Sequence, residues 1–262
     1  MLRRILSRTE LAGKAVKDTY AYARQLVRGN AVVGEPAELA TELPPVVLVH
    51  GFLGTRGTMQ PLTERFRADG RAVFSYAYGR GQTSCLRRSA EGLVQQIASL
   101  RERLDVERVD LVGFSMGGLV SLHALNFLDG ARHARSLTLL GTPVSGTWMG
   151  LAGVATMGAI SSSVWQVVPH SRFLDDLVRV GAPSGVRVRQ IFARHDAFCP
   201  LGPRLQGVAE NDYLVLAGGH ASLLINPQVY DAVRSGHEGL GETSRPTLDA
   251  RHQPALGAYV RP

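Results

Sequence analysis

The stretch VDLVGFSMGGLV, residues 109–120, constrains the fold more than any other part of the chain. Val109 to Phe114 is a short, almost unbroken run of β-branched and apolar residues, the pattern of a buried strand. The following MGGLVSLHALNFL carries Leu119, Leu122 or His123, Asn126 and Phe127 at helical spacing. Ser115 therefore falls where a strand turns into a helix. Gly113 and Gly117, two residues to either side, leave room for a turn sharp enough to hold the serine at strained backbone angles. Such a turn lifts the hydroxyl over the strand tip, beside helix N–H groups that favour a developing negative charge. Ser115 is thus a candidate nucleophile.

The same alternation runs along the chain. LPPVVLVHGFLGT (43–55) reads as a strand closed by a glycine turn, and MQPLTERFRADG as a helix with Pro61 in its first turn and Gly70 at its end. RAVFSYAY (71–78) is the next strand, and Leu93, Ile97, Leu100 and Leu104 share one face of a helix over about 89–104. SLTLLGTP (136–143) reads as a buried strand. VRVRQIFARHD (186–196) begins with polar alternation, as an outer strand would, and DYLVLAGGH (212–220) is the last clear strand. Strands alternating with helices predict an α/β fold, a mostly parallel central sheet with helices on both faces. At 262 residues the chain suits one such domain, placed at 44–235.

A serine hydroxyl needs a base to take its proton and an acid to orient that base. On a parallel sheet these groups meet at the carboxyl ends of the strands. Asp196 closes one predicted strand and His220 closes the last, in the order Ser115, Asp196, His220. His170 is a rival base, and Asp175 and Asp176 are rival acids, though a solvated helix face suits both. His123 lies on the helix after the serine, His133 at the opposite edge, and His237 and His252 in the tail; His195 turns to solvent or a loop carbonyl. A tetrahedral oxyanion needs two fixed donors. The Met116 N–H at the helix start and the Phe52 N–H in HGFLG (50–54) are placed to supply them, with His50 and Gly51 beside the substrate.

VHGFLG, GFSMGG, GTPVSGT, RHDAFCP and GGHASLL, in that order and spacing, resemble the motifs of α/β-hydrolase lipases and carboxylesterases of bacterial type. The likeness covers roughly residues 44–230. It implies Ser115 as nucleophile, Asp196 as acid, His220 as base, and Phe52 and Met116 as oxyanion donors. The single residue after His-Gly resembles the lipase class with one such donor rather than a glycine string. Val144 departs from the His-containing GTPHxG of related lipases, and the calcium site of some relatives has no counterpart in this sequence. No cofactor or metal is claimed from the sequence. The activity the resemblance implies is hydrolysis of carboxylic esters through an acyl-enzyme. Acyl transfer, thioester or phospholipid cleavage, and a non-catalytic binding module of the same fold stay open.

One stretch breaks the rhythm. No Asp, Glu, Lys or Arg occurs from Ser136 to Ser171, and WMGLAGVATMGAISSSVWQVV (148–168) lies inside it. Gly and Ser interrupt the run and strands flank it, which excludes a transmembrane span. Two readings remain, a core helix pair or an apolar lid over about 144–180, with Trp148, Met149 and Trp165 against a lipid or other ester substrate.

The net charge of +7 is concentrated: residues 1–28 hold seven basic against two acidic residues. The remainder lacks a basic stripe with aromatics, which argues against nucleic acid as a partner. Residues 1–30 read instead as a basic amphipathic helix, packed on the domain or lying on an anionic membrane surface. Without an h-region they are not a signal peptide, and the chain reads as cytoplasmic, with membrane association through 1–28 as one reading. Residues 236–262 lack periodicity and read as a tail. Cys85 and Cys199 show no metal or redox spacing and are expected as free thiols.

Overall fold

The computed structural model describes residues 24, 29, 43–76, 83–148, 155, 158 and 161–237. The expected N-terminal helix, Met149 and nearly all of the tail lie outside the described residues.

Six strands form the sheet: β1 (Val46–Val49), β2 (Val73–Tyr76), β3 (Val109–Phe114), β4 (Ala134–Leu140), β5 (Arg187–Ala193) and β6 (Tyr213–Leu216). All pairings are parallel, in the order β2-β1-β3-β4-β5-β6. Among the described residues the α-helices are α1 (Gln60–Ala68), α2 (Leu86–Leu104), α3 (Met116–Phe127), α4 (Ser162–Gln166), α5 (Arg172–Val180), α6 (Ser222–Ile225) and α7 (Pro227–His237). This is the expected α/β architecture.

Strand periodicity divides the apolar residues between two layers. Val47, Val49, Phe74, Leu111, Leu137 and Leu139 face α2, α3 and α5. Val46, Leu48, Val73, Val112, Phe114 and Ile191 face α1, α6 and α7. The β1–β3 pair is the point from which the chain winds in both directions, and ligands bind in such crevices at the strand ends. Ser115 and the HGFLG turn sit there.

Two expectations need correcting. β5 is not an outer strand, because β6 pairs beyond it and every residue after Arg187 is buried. Its polar side chains are satisfied from within: Arg189 pairs with Asp212, while Gln190 donates to the Pro203 carbonyl and accepts from the Leu205 amide. His237 likewise does not fall in a loose tail. It ends α7, whose Val229, Tyr230 and Val233 enter the core, and its ring stacks on Phe66 at 5.7 Å. Helix α5, at the far end of the uncharged stretch, packs Phe173, Leu174 and Leu177 into the main core, with Asp175 and Asp176 on its outer side. Among the described residues no helix is long and apolar enough to cross a membrane.

At the end of the sheet opposite Ser115, Asp110 is fully buried in β3. Its carboxylate accepts from Arg71 at 2.7 Å, Arg135 at 2.6 and 3.0 Å, and Ser136 at 2.6 Å. Burial opposes its charge, but His237 and the donors from Arg135 and Ser136 outweigh burial and hold the carboxyl below its ordinary value. A depressed carboxyl stabilises the fold above its unfolded pKa, and that contribution disappears as pH falls through the folded value. Asp110→Ala strands two nearly buried guanidinium groups. It is expected to lower unfolding stability by about 3–5 kcal/mol at neutral pH and to flatten the loss of stability in acid, both read by urea denaturation at pH 7 and pH 3. An unchanged midpoint would show that the arginines find other partners.

Candidate active site

The elbow forms as its glycines require. Ser115 has φ 53° and ψ −125°, a left-handed conformation that a β-carbon disfavours. The strain is held from both sides. The Ser115 N–H donates to the Leu140 carbonyl at 2.7 Å, and α3 presses so close to β1 that a β-carbon on Gly117 would meet the Val49 carbonyl oxygen at 2.2 Å. A β-carbon on Gly113 would meet the Gly118 backbone at 2.6 Å. Neither glycine can be replaced without moving the serine.

Asp196 and His220 come from neighbouring loops. Beyond the β5–β6 ladder the Arg194 N–H donates to the Leu216 carbonyl and the His195 N–H to that of Gly218, which keeps the two loops side by side. His220 Nδ1 then donates to Asp196 Oδ2 at 2.6 Å. Oδ1 accepts the Phe198 and Cys199 amides at 2.9 and 2.8 Å, so both oxygens of the nearly buried carboxylate are committed. The imidazole packs against Phe114, adjacent to the serine, with ring centroids 4.6 Å apart. Phe198 covers it from the loop at 5.6 Å.

Sequence reasoning missed one participant. The Cys199 thiol is buried with Sγ 3.7 Å from Ser115 Oγ, and its sulfur, a His220 nitrogen and an Asp196 oxygen lie within 4.8 Å of one another. Both cysteines are free, as expected. Burial pushes the His220 imidazole down, but the neighbouring Cys199 sulfur and the hydrogen-bonded Asp196 carboxylate together raise it above its ordinary value. The only sequence signal for Cys199 was its position three residues after the acid.

The HGFLG turn lies across from the elbow. Gly51 approaches so closely that its β-carbon would stand 2.9 Å from that of Ser115. The turn is closed by the Gly54 N–H to the Gly51 carbonyl at 3.0 Å, with Leu53 at φ 52° and Phe52 half-buried. His50 is buried, Nδ1 3.0 Å from the Gly51 carbonyl, and burial lowers its pKa to about 4 against that bond, so the ring is neutral. Met116 opens α3, where first-turn N–H groups have no partner within the helix. Trp148 and Trp165 are 73% and 56% exposed, so neither is packed inside a cavity. The Trp148 neighbour Thr147 is tied by its hydroxyl to the Phe198 carbonyl at 2.5 Å. His123, on the helix after the serine, stacks on Phe127 and packs against Phe173, and the rival base His170 is exposed.

The profile of the family described as "Alpha/beta hydrolase family" matches residues 46–253. The chain belongs to the alpha/beta hydrolase family. No curated protein matches it in sequence. Among solved structures, this hydrolase-family chain is similar to Aspergillus fumigatus lipase B, at 15% identity and TM-score 0.59, over 87% of this chain and 57% of that one. It spans little more than half the length of that lipase. It is also similar to Bacillus licheniformis lipase BlEst2 in mature form, at 14% identity and TM-score 0.58, covering 79% of this chain and 96% of that one. A third is an alpha/beta hydrolase fold protein from Burkholderia ambifaria, at 21% and 0.54, covering 73% and 90%. At these identities the likeness concerns the fold.

The raised His220 has a direct readout. Followed by NMR, its ring is expected to titrate above 6.5, and Cys199→Ala to move the midpoint downward. An identical midpoint in the variant would remove Cys199 from the cause.

Proposed function

We propose that the protein is a serine hydrolase that cleaves carboxylic esters through an acyl-enzyme. The single observation that carries the reading is the Asp196–His220 hydrogen bond of 2.6 Å next to a serine in a strained elbow. A strained turn alone has many uses, and so does a buried Asp–His pair. Their convergence on one rim is what general-base activation of an alcohol requires.

In this mechanism Ser115 Oγ attacks the ester carbonyl carbon while His220 Nε2 takes its proton. Asp196, bonded to Nδ1, fixes the tautomer and stabilises the imidazolium. The carbonyl oxygen becomes an oxyanion held by the Phe52 and Met116 N–H groups, each worth roughly 3 kcal/mol in a dry site. His220 then gives its proton to the departing alcohol, and a water activated by the same ring releases the acid. Neutral His50 adds no charge at the turn that carries Phe52, so the donors there are backbone dipoles only.

The substrate end is apolar. Leu53, Trp148, Phe198 and Leu201 are each more than half exposed, and the first and third of these flank the oxyanion turn and the base. Such exposed apolar side chains around a reactive serine suit an acyl chain of medium or greater length. Trp148, Met149 and Trp165 are proposed as its cover.

A fluorophosphonate probe is expected to label the wild type and not Ser115→Ala, with circular dichroism unchanged. Hydrolysis of p-nitrophenyl esters should fall by about a million-fold in Ser115→Ala and by about ten thousand-fold in Asp196→Asn. A wild type that never labels would end the proposal. Across the ester series, kcat/KM should rise from acetate toward octanoate; a preference confined to acetate would remove the acyl-chain assignment and leave a short-chain esterase.

A further inference from the structure

We propose that Cys199, His220 and Ser115 form a binding site for Zn2+, whose occupation silences the serine. The binding stands on the geometry alone; the silencing rests on the serine chemistry proposed above.

A buried cysteine is most often a small apolar filler. Here the thiol is not packed among aliphatic groups only. Its sulfur is 3.7 Å from Ser115 Oγ and belongs to a cluster with a His220 nitrogen and an Asp196 oxygen, all within 4.8 Å. Zinc takes sulfur at about 2.3 Å and nitrogen or oxygen at about 2.0 Å, so two ligands at a tetrahedral angle stand about 3.5 Å apart. The Cys199–Ser115 separation matches that spacing without rearrangement.

The geometry also assigns the shells. Asp196 Oδ2 and His220 Nδ1 are 2.6 Å apart, too close for both to ligate one ion, and Oδ1 already holds two amides. Asp196 therefore stays behind the imidazole, and His220 presents Nε2. A carboxylate on the far nitrogen of a ligating histidine fixes its orientation and raises its basicity. Ser115 Oγ and solvent complete the inner shell. On binding, the Cys199 S–H bond breaks as an S–Zn bond forms, His220 Nε2 gives up the proton it carries in the charged ring as its N–Zn bond forms, and both protons leave to solvent. The thiolate and the Asp196 carboxylate then balance the two positive charges of the ion. With Nε2 engaged, His220 has no lone pair to accept the serine proton.

The test uses the full chain. Co2+ stands in for zinc because a thiolate ligand gives it a charge-transfer band in the near ultraviolet. Wild type and Cys85→Ser are expected to show the band, and Cys199→Ala and Cys199→Val to lack it. Equilibrium dialysis should give Zn2+ binding at least about tenfold weaker in both Cys199 variants. Zn2+ should inhibit wild-type ester hydrolysis reversibly with EDTA. Each Cys199 variant, relative to its own zinc-free rate, should need at least about tenfold more. Absence of the band in wild type, or equal zinc affinity in either folded variant, overturns the site. A band without any ester hydrolysis or probe labelling would instead defeat the serine reading and leave the cation site standing.

Discussion

Everything at the rim depends on how closely α3 approaches β1. The Val49 and His50 carbonyls occupy the volume a side chain at position 117 would need, so the helix can start only if that residue is glycine. Once it starts there, Ser115 has no room to relax from φ 53°, and its N–H is already engaged by Leu140. The strain is held by packing on β1 and β4 rather than by any local preference of serine. The same close approach brings Gly51 against the serine, so the turn that carries Phe52 and the turn that carries Ser115 are fixed relative to each other by contact between backbones. Preorganisation of this kind costs nothing at the moment of reaction.

The acid loop concentrates several tasks in the four residues Asp196 to Cys199. Asp196 provides the carboxylate, and the amides of Phe198 and Cys199 hold one of its oxygens so that the other must face His220. The Phe198 ring then covers the imidazole while its carbonyl accepts from Thr147, which links the acid loop to the uncharged stretch. Cys199 closes the loop beneath the reactive groups. A base in these surroundings feels opposing forces: dehydration favours the neutral ring, and the neighbouring acidic groups favour the charged one. The second influence prevails, so the charged ring is the better stabilised state.

The strand-turn-helix at Ser115 was legible because it rests on local rules: buried strands are apolar, and a crowded turn needs glycine. Asp196 and His220 were legible because they close strands. What escaped was long-range. The polar alternation of VRVRQIFARHD imitates an edge strand, and nothing in the segment itself announces that Asp212 lies opposite Arg189 or that Gln190 caps the 203–205 backbone. Helix α7 was hidden by a short apolar stripe, Val229, Tyr230 and Val233, running into polar residues. Its Pro227 start and the burial of His237 become meaningful only beside Phe66. Cys199 escaped for a related reason, since its partners are 84 residues upstream and some 20 downstream in sequence. Spacing rules for metal or redox cysteines detect neighbours along the chain, not across a rim.

The buried polar contacts of β5 also account for how the acid finds the base. A parallel strand that slipped by one residue would turn every side chain to the opposite face. For β5 that would carry Asp196 away from His220. Two sets of contacts oppose the slip. Arg187 and Arg189, two apart and so on one face, both donate to Asp212 just before β6. At the other end, the Arg194 and His195 amides pair with the carbonyls that precede His220. A shift would leave the buried Asp212 without Arg189, and breaking such a pair costs several kcal/mol. The residues that made β5 resemble an outer strand are therefore those that set its register with β6. That register, held some twenty ångströms of strand away by roughly 3.3 Å per residue, aligns Asp196 with His220.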